Sequence, residues 1–108
     1  MPQQEVSQYC ASGCRDKLIK LWNCKDGRCI FTFVGHDNWV TDLVFHPSGK
    51  YLLSSSDDKS LRVWDLHSGR LFTKLLAIHD HFVSTLDMRH KHVVTGSVDK
   101  TLKIWNCR

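Results

Sequence analysis

Apolar and polar residues alternate in short runs along most of the chain. In "LRVW" at 61–64, Leu61 and Val63 fall on one face of a strand and Arg62 and Trp64 on the other, and "LKIW" at 102–105 repeats the pattern. Turn signals separate the runs. Pro47-Ser48-Gly49-Lys50 divides two apolar stretches, and Ser68-Gly69 does the same further on, as hairpins require. No segment carries a helical period. The pattern predicts strands over 9–13, 18–23, 28–33, 39–45, 51–55, 60–64, 70–75, 82–88, 92–96 and 101–106.

These strands fall into repeating units. "SGCRDKLIKLWN" from Ser12, "SSSDDKSLRVWD" from Ser54 and "TGSVDKTLKIWN" from Thr95 align, with Trp22, Trp64 and Trp105 in register 42 and 41 residues apart. Asp16, Asp58 and Asp99 also match. "HDNWVTDLVF" from His36 pairs with "HDHFVSTLDM" from His79, whereas the first unit has no such half.

A four-stranded unit of about forty residues with Gly35-His36 and Trp64-Asp65 resembles the WD repeat of β-propeller blades. The implied fold is all-β: a WD β-propeller fragment of about two and a half blades, incomplete at its N-terminal side. The units divide the chain into a polar segment at 1–8, a partial blade at 9–34, a complete blade at 35–76 and a last blade at 77–108 without its outer strand. The resemblance also implies a role for the recurring side chains. A buried indole N–H needs an acceptor, since an unpaired one costs about 1–3 kcal/mol. In WD blades a strand Ser or Thr accepts it, a His contacts the hydroxyl and a turn Asp holds the His. The second unit offers His36, Ser54, Asp58 and Trp64; the third offers His79, Thr95, Asp99 and Trp105. The first keeps Ser12, Asp16 and Trp22 but no His. Ser, His and Asp are here assigned to the tryptophans rather than to catalysis.

Propeller rings commonly need 4–8 blades and close by a clasp in which the start of the chain gives the last blade its outer strand. An end at Cys107-Arg108, just past a Trp strand, fits such a closure. The sequence is therefore expected to be the C-terminal part of a longer propeller protein.

Composition narrows the function classes. Of 108 residues, 42% are hydrophobic and 24% charged, with a formal net charge of +4 and both signs interspersed. This is a mildly basic surface, without the basic stripe expected of a nucleic-acid binder. No window holds the ~18 apolar residues of a membrane span, and no secretory signal pattern opens the chain. The five Cys are read as reduced thiols of a cytosolic protein. Cys10-x3-Cys14, Cys24-x4-Cys29, His79-x-His81 and His90-x-His92 include no CxxC pair, so the zinc signal is weak. No nucleophile elbow, phosphate loop or metal-hydrolase motif occurs, and no cofactor is implied. The expectation is a non-enzymatic interaction module.

Two stretches are more specific. "VGHDNWV" (34–40) and "HFVSTLDM…VVTGSVDKTLKIWNCR" (81–108) closely resemble the end of the lissencephaly-1 family, regulators of cytoplasmic dynein and non-catalytic subunits of platelet-activating factor acetylhydrolase. The resemblance runs from Ala11 to Arg108. It departs at Ile78, where the family has a small residue before His, and at the 89–92 loop, which is two residues short. The family's N-terminal dimerisation motif and coiled coil have no counterpart, so the homodimerisation of full-length members is not carried over. The resemblance implies the dynein heavy chain and dynein adaptor proteins as partners, with acetylhydrolase catalytic subunits in a second association. It implies a cytoplasmic, cytoskeletal location that includes the microtubule-organising centre. Arg15, Trp39 and Lys59 match positions of the family's motor-contact face. An exposed Trp beside Arg and Lys is a favoured interface anchor. The alternatives are a core-packed aromatic at Trp39, whose counterpart is Phe82, and solvated turn charges at Arg15 and Lys59. A generic WD scaffold of another complex is the competing functional reading.

Overall fold

The computed structural model describes residues 3–6, 9–13, 17–76, 78–89 and 92–106. Among them are eleven strands and no helix. They are β1 (Gln3–Val6), β2 (Tyr9–Gly13), β3 (Leu18–Asn23), β4 (Cys29–Val34), β5 (Val40–Phe45), β6 (Tyr51–Ser56), β7 (Leu61–Asp65), β8 (Arg70–Leu75), β9 (Val83–Arg89), β10 (His92–Ser97) and β11 (Leu102–Asn106). They form three antiparallel meanders: β1-β2-β3-β4, β5-β6-β7-β8 and β9-β10-β11. The ten strands expected from the pattern are all present, with ends displaced by about one residue.

The eleventh strand, β1, corrects the reading of the chain's start. Residues 1–8 look like a polar lead-in, and the first blade looks as if it lacks its innermost strand. Instead Gln3–Val6 pairs with β2, from Gln3↔Ser12 to Val6↔Tyr9, and makes the first sheet four-stranded. A ladder is formed by backbone groups, so "QQEV" can join it without the apolar alternation that marks the other strands.

The sheets stack face to face. β5 lies against β1 on one side and against β9 on the other. Ile19, Leu21 and Phe33 of the first sheet meet Leu43, Phe45, Leu52 and Trp64 of the second. Leu53 and Leu61 of the second meet Val83, Leu86 and Val93 of the third, with Ile78 among them. Each sheet thus buries both faces only where it has a neighbour on both sides, and the period-2 alternation sorts which residues meet which neighbour. Polar ties cross the second junction: Thr41 Oγ1 donates to the Val83 carbonyl (2.5 Å), Leu86 N–H to Asp42 Oδ2 (2.9 Å), and Ile78 N–H to the Lys59 carbonyl (3.0 Å).

Tight turns set the register. Gly69 has φ +73, and a Cβ there would stand 2.6 Å from the Phe31 ring, so glycine is required on both counts. Lys17, Lys59 and Lys100 adopt φ of 72, 68 and 72 at the matching turn of each unit.

Candidate functional site

In the second blade the recurring residues form one chain of hydrogen bonds. Trp64 Nε1 donates to Ser54 Oγ (2.9 Å), Ser54 Oγ meets His36 Nε2 (2.6 Å), and His36 Nδ1 meets Asp58 Oδ2 (2.8 Å). Since indole is a donor only, Ser54 accepts from Trp64, and the imidazole tautomer with its proton on Nδ1 lets Ser54 donate to Nε2 while the ring donates to Asp58. The third blade repeats this with Trp105 Nε1 to Thr95 Oγ1 (3.1 Å), His79 Nε2 (2.8 Å) and His79 Nδ1 to Asp99 Oδ2 (3.1 Å). In the first blade Trp22 Nε1 donates to Ser12 Oγ (3.1 Å) and the relay stops there; Asp16 lies outside the described residues.

Two members of the network escaped the sequence reading. Ser60 Oγ donates to Asp58 Oδ1 and lies 3.1 Å from His36 Nδ1, and Thr101 does the same for Asp99 and His79. The signal was present as "DKS" and "DKT", a hydroxyl two residues after each turn Asp. The first unit has Leu18 at that position, consistent with its lack of a His to serve.

The carboxyls answer to these partners. Burial would raise Asp58, but hydrogen bonds from His36, Ser60 and the Asp37 amide outweigh it and hold the group well below the usual carboxylate range. The Thr101 hydroxyl, opposed by a smaller desolvation, lowers Asp99, and the Thr101 and Asp80 amides and His79 add to it. Among the described residues every buried side-chain nitrogen and oxygen has a hydrogen-bond partner. Ser12, Ser54 and Thr95 each accept an indole N–H.

Gly35 is fixed by the same network. A Cβ there would lie 2.8 Å from Trp64 Cη2 and 3.1 Å from Arg62 Nη1. Arg62 is buried within 4.0 Å of Asp58. In the third blade Lys103 replaces Arg62 and sends Nζ to the Ile78 carbonyl (2.6 Å). Ile78 occupies the position equivalent to Gly35 and packs into the second junction, which accounts for the bulky residue before His79.

The rim beside these networks carries the candidate contact residues. Trp39 is 45% exposed and Lys59 is exposed, both at the end of the second sheet. The core-packed alternative for Trp39 therefore does not describe it, and its counterpart Phe82 is 38% exposed as well. The Trp39 carbonyl is held by the Asp57 amide (2.9 Å) and Ser56 Oγ (2.7 Å), which fixes the loop that carries the exposed indole. Burial and the neighbouring Asp58 raise the Asp57 carboxyl, with His81 opposing them. Arg15, together with Cys14, His90 and the chain end at 107–108, lies outside the described residues. His79 is engaged by Asp99 and Thr95, and the His81 ring packs edge-on against Phe82 with centroids 4.5 Å apart.

Stacked antiparallel meanders, two of four strands and one of three among the described residues, with a Trp–Ser/Thr–His–Asp relay in the second and third, define the class: β-propeller blades, all-β, in an open stack of WD repeats. The chain belongs to the "WD domain, G-beta repeat" family, whose model matches residues 5–23, 27–65 and 72–106. By sequence it is 53% identical over 85 residues to "Nuclear distribution protein nudF" of Aspergillus niger, covering 79% of this chain and 19% of that protein. It is 50% identical over 99 residues to "Lissencephaly-1 homolog" of Dictyostelium discoideum, covering 90% of this chain and 24% of that protein. These names agree with the lissencephaly-1 resemblance. The chain spans about a fifth to a quarter of the length of these relatives. By structure it superposes on the computationally designed Ika4 protein with a TM-score of 0.87 at 27% identity, covering 98% of this chain and 64% of that one. The designed Ika8 protein gives 0.85 at 28%, covering 96% and 32%.

Proposed function

We propose that these blades form part of a docking face through which a WD-repeat protein binds the cytoplasmic dynein motor and biases its cycle, performing no chemistry itself. The observation that carries the reading is Trp39: a large aromatic, half-exposed, on a loop pinned by Ser56 and Asp57 and sharing the rim with Lys59. Such rigid aromatic anchors beside cations supply most of the affinity of a protein interface. The names of the relatives, nuclear distribution proteins and a lissencephaly-1 homologue, support the same pathway. Dynein adaptors and a cytoplasmic, microtubule-associated location follow from this reading. The reading assigns the chain no chemistry: in the relay the hydroxyls of Ser54 and Thr95 serve the indoles of Trp64 and Trp105, and those of Ser60 and Thr101 serve the carboxylates of Asp58 and Asp99.

The test uses the native protein, tagged and purified from its own cells, and the isolated dynein motor domain. Trp39→Ala should weaken binding at least about tenfold, and Lys59→Glu by a smaller, salt-sensitive factor. Unchanged affinity for Trp39→Ala would reject the proposal.

A further inference from the structure

The rim does not stop at the second blade. Phe82 stands in the third blade where Trp39 stands in the second, and it is anchored the same way. Its carbonyl accepts from Ser97 Oγ (2.7 Å) and from the Val98 amide (3.2 Å), matching Ser56 and Asp57 around Trp39. Both loops are therefore held by two hydrogen bonds apiece, and both aromatic rings project from fixed backbone.

The two anchors belong to one surface. Thr41, two residues past Trp39, bonds the carbonyl of Val83, the residue after Phe82. His81 packs on the Phe82 ring and acts electrostatically on Asp57, which holds the Trp39 loop. Backbone bonds tie Asp57 to Trp39 and Val98 to Phe82, and the Thr41–Val83 bond joins the strands that follow the two aromatics.

Val98 is the discordant residue. It takes the turn position that Asp57 fills in the second blade, and it is 54% exposed. A β-branched apolar residue gains nothing from an exposed turn, where Asp is favoured. Beside Phe82 it widens an apolar patch. Lys59 and Lys100 stand at the adjoining turn tips in the same left-handed conformation, both exposed.

We infer that Phe82 and Val98 form a second apolar anchor of the docking face, one blade from Trp39. Its occupant is a protein surface that seats apolar side chains on the two aromatics and offers carboxylates to Lys59 and Lys100. The acidic character follows from the exposed lysines at the two turn tips and from the chain's formal charge of +4. The inference rests on the reading of Trp39 as a docking residue and adds residues that neither the sequence nor the relatives single out. Rigid anchors on adjacent blades fix the orientation of a partner, which a single ring cannot do.

The experiment measures binding of the dynein motor domain to the native protein in four variants: Phe82→Ala, Phe82→Trp, Val98→Asp and Trp39→Ala. Val98→Asp installs the second blade's own residue, so the turn tolerates it, and a wild-type melting temperature verifies the fold. Phe82→Ala and Val98→Asp should each weaken binding about five- to tenfold, and Phe82→Trp should restore it. Trp39→Ala serves as the reference. Loss in Trp39→Ala with wild-type affinity in both Phe82→Ala and Val98→Asp overturns the second anchor and leaves the proposed function standing. Wild-type affinity in all three rejects both.

Discussion

The second and third blades carry the same relay, yet they live in different surroundings. His36, Ser54, Asp58 and Trp64 bond at distances within about 0.3 Å of those among His79, Thr95, Asp99 and Trp105. Leu61, however, is 3% exposed and its counterpart Leu102 is 76% exposed. Trp64 is buried against Phe33, with ring centroids 5.1 Å apart, and is paired in register with Leu71 of β8, whereas Trp105 is only partly buried in a sheet that has no fourth strand among the described residues. Local sequence thus builds the polar network, while neighbouring strands and blades decide how much that network and its apolar flank are worth.

The sharpest way to break this comparison is to remove each tryptophan. Trp64→Ala should cost about 3–5 kcal/mol, losing a packed ring and leaving Ser54 and His36 to rearrange in a dry site; Trp105→Ala should cost about half as much. Urea unfolding of the paired variants measures both, and equal losses would mean that burial is not what separates the blades. The next contrast is on the opposite face of the strands. Leu61→Ala should cost about 2–4 kcal/mol and Leu102→Ala no more than about 0.5 kcal/mol. A large penalty at Leu102 would show that something covers the outer face of β11 in solution.

The smallest effect is expected from acid. Asp58 and Asp99 are held below their unfolded values, so their contribution to stability is complete above the ordinary carboxylate pKa. It is lost as pH falls through the lower folded values. Stability should be flat above about pH 5 and decline below about pH 4. Asp58→Asn should flatten that decline more than Asp99→Asn, because Asp58 is the more enclosed of the two side chains. Thermal melts at a series of pH values decide it.

Most of the fold was legible because each unit writes its own alternation, turn residues and Trp in register. β1 was not, because a strand held by backbone pairing needs no apolar signature. The one-residue offsets at strand ends, as at β7, fall where backbone pairing rather than alternation sets the boundary. In the relay, Trp, Asp and His stand out by repetition, but Ser60 and Thr101 differ in identity and hide in a turn. On the rim the sequence left Trp39 between core and surface, since an aromatic opening a strand looks the same in either place. Its 45% exposure settles the choice, and bonds to its carbonyl from residues 17 and 18 positions away hold the loop that carries it. Phe82 and Val98 were passed over because neither residue type is unusual until its exposure is known.

The polar ties across the second junction have a mechanical consequence. Apolar faces can slide past one another, but the bonds from Thr41, Leu86 and Ile78 lock the register of one sheet on the next. A stack of this kind behaves as a row of coupled units, each gaining from its neighbours. Among the described residues the second sheet packs on both of the others, through β1 on one side and β9 on the other, so its strands open only when those contacts are given up. The loop bearing Trp39 is thereby mounted on a sheet held from two sides.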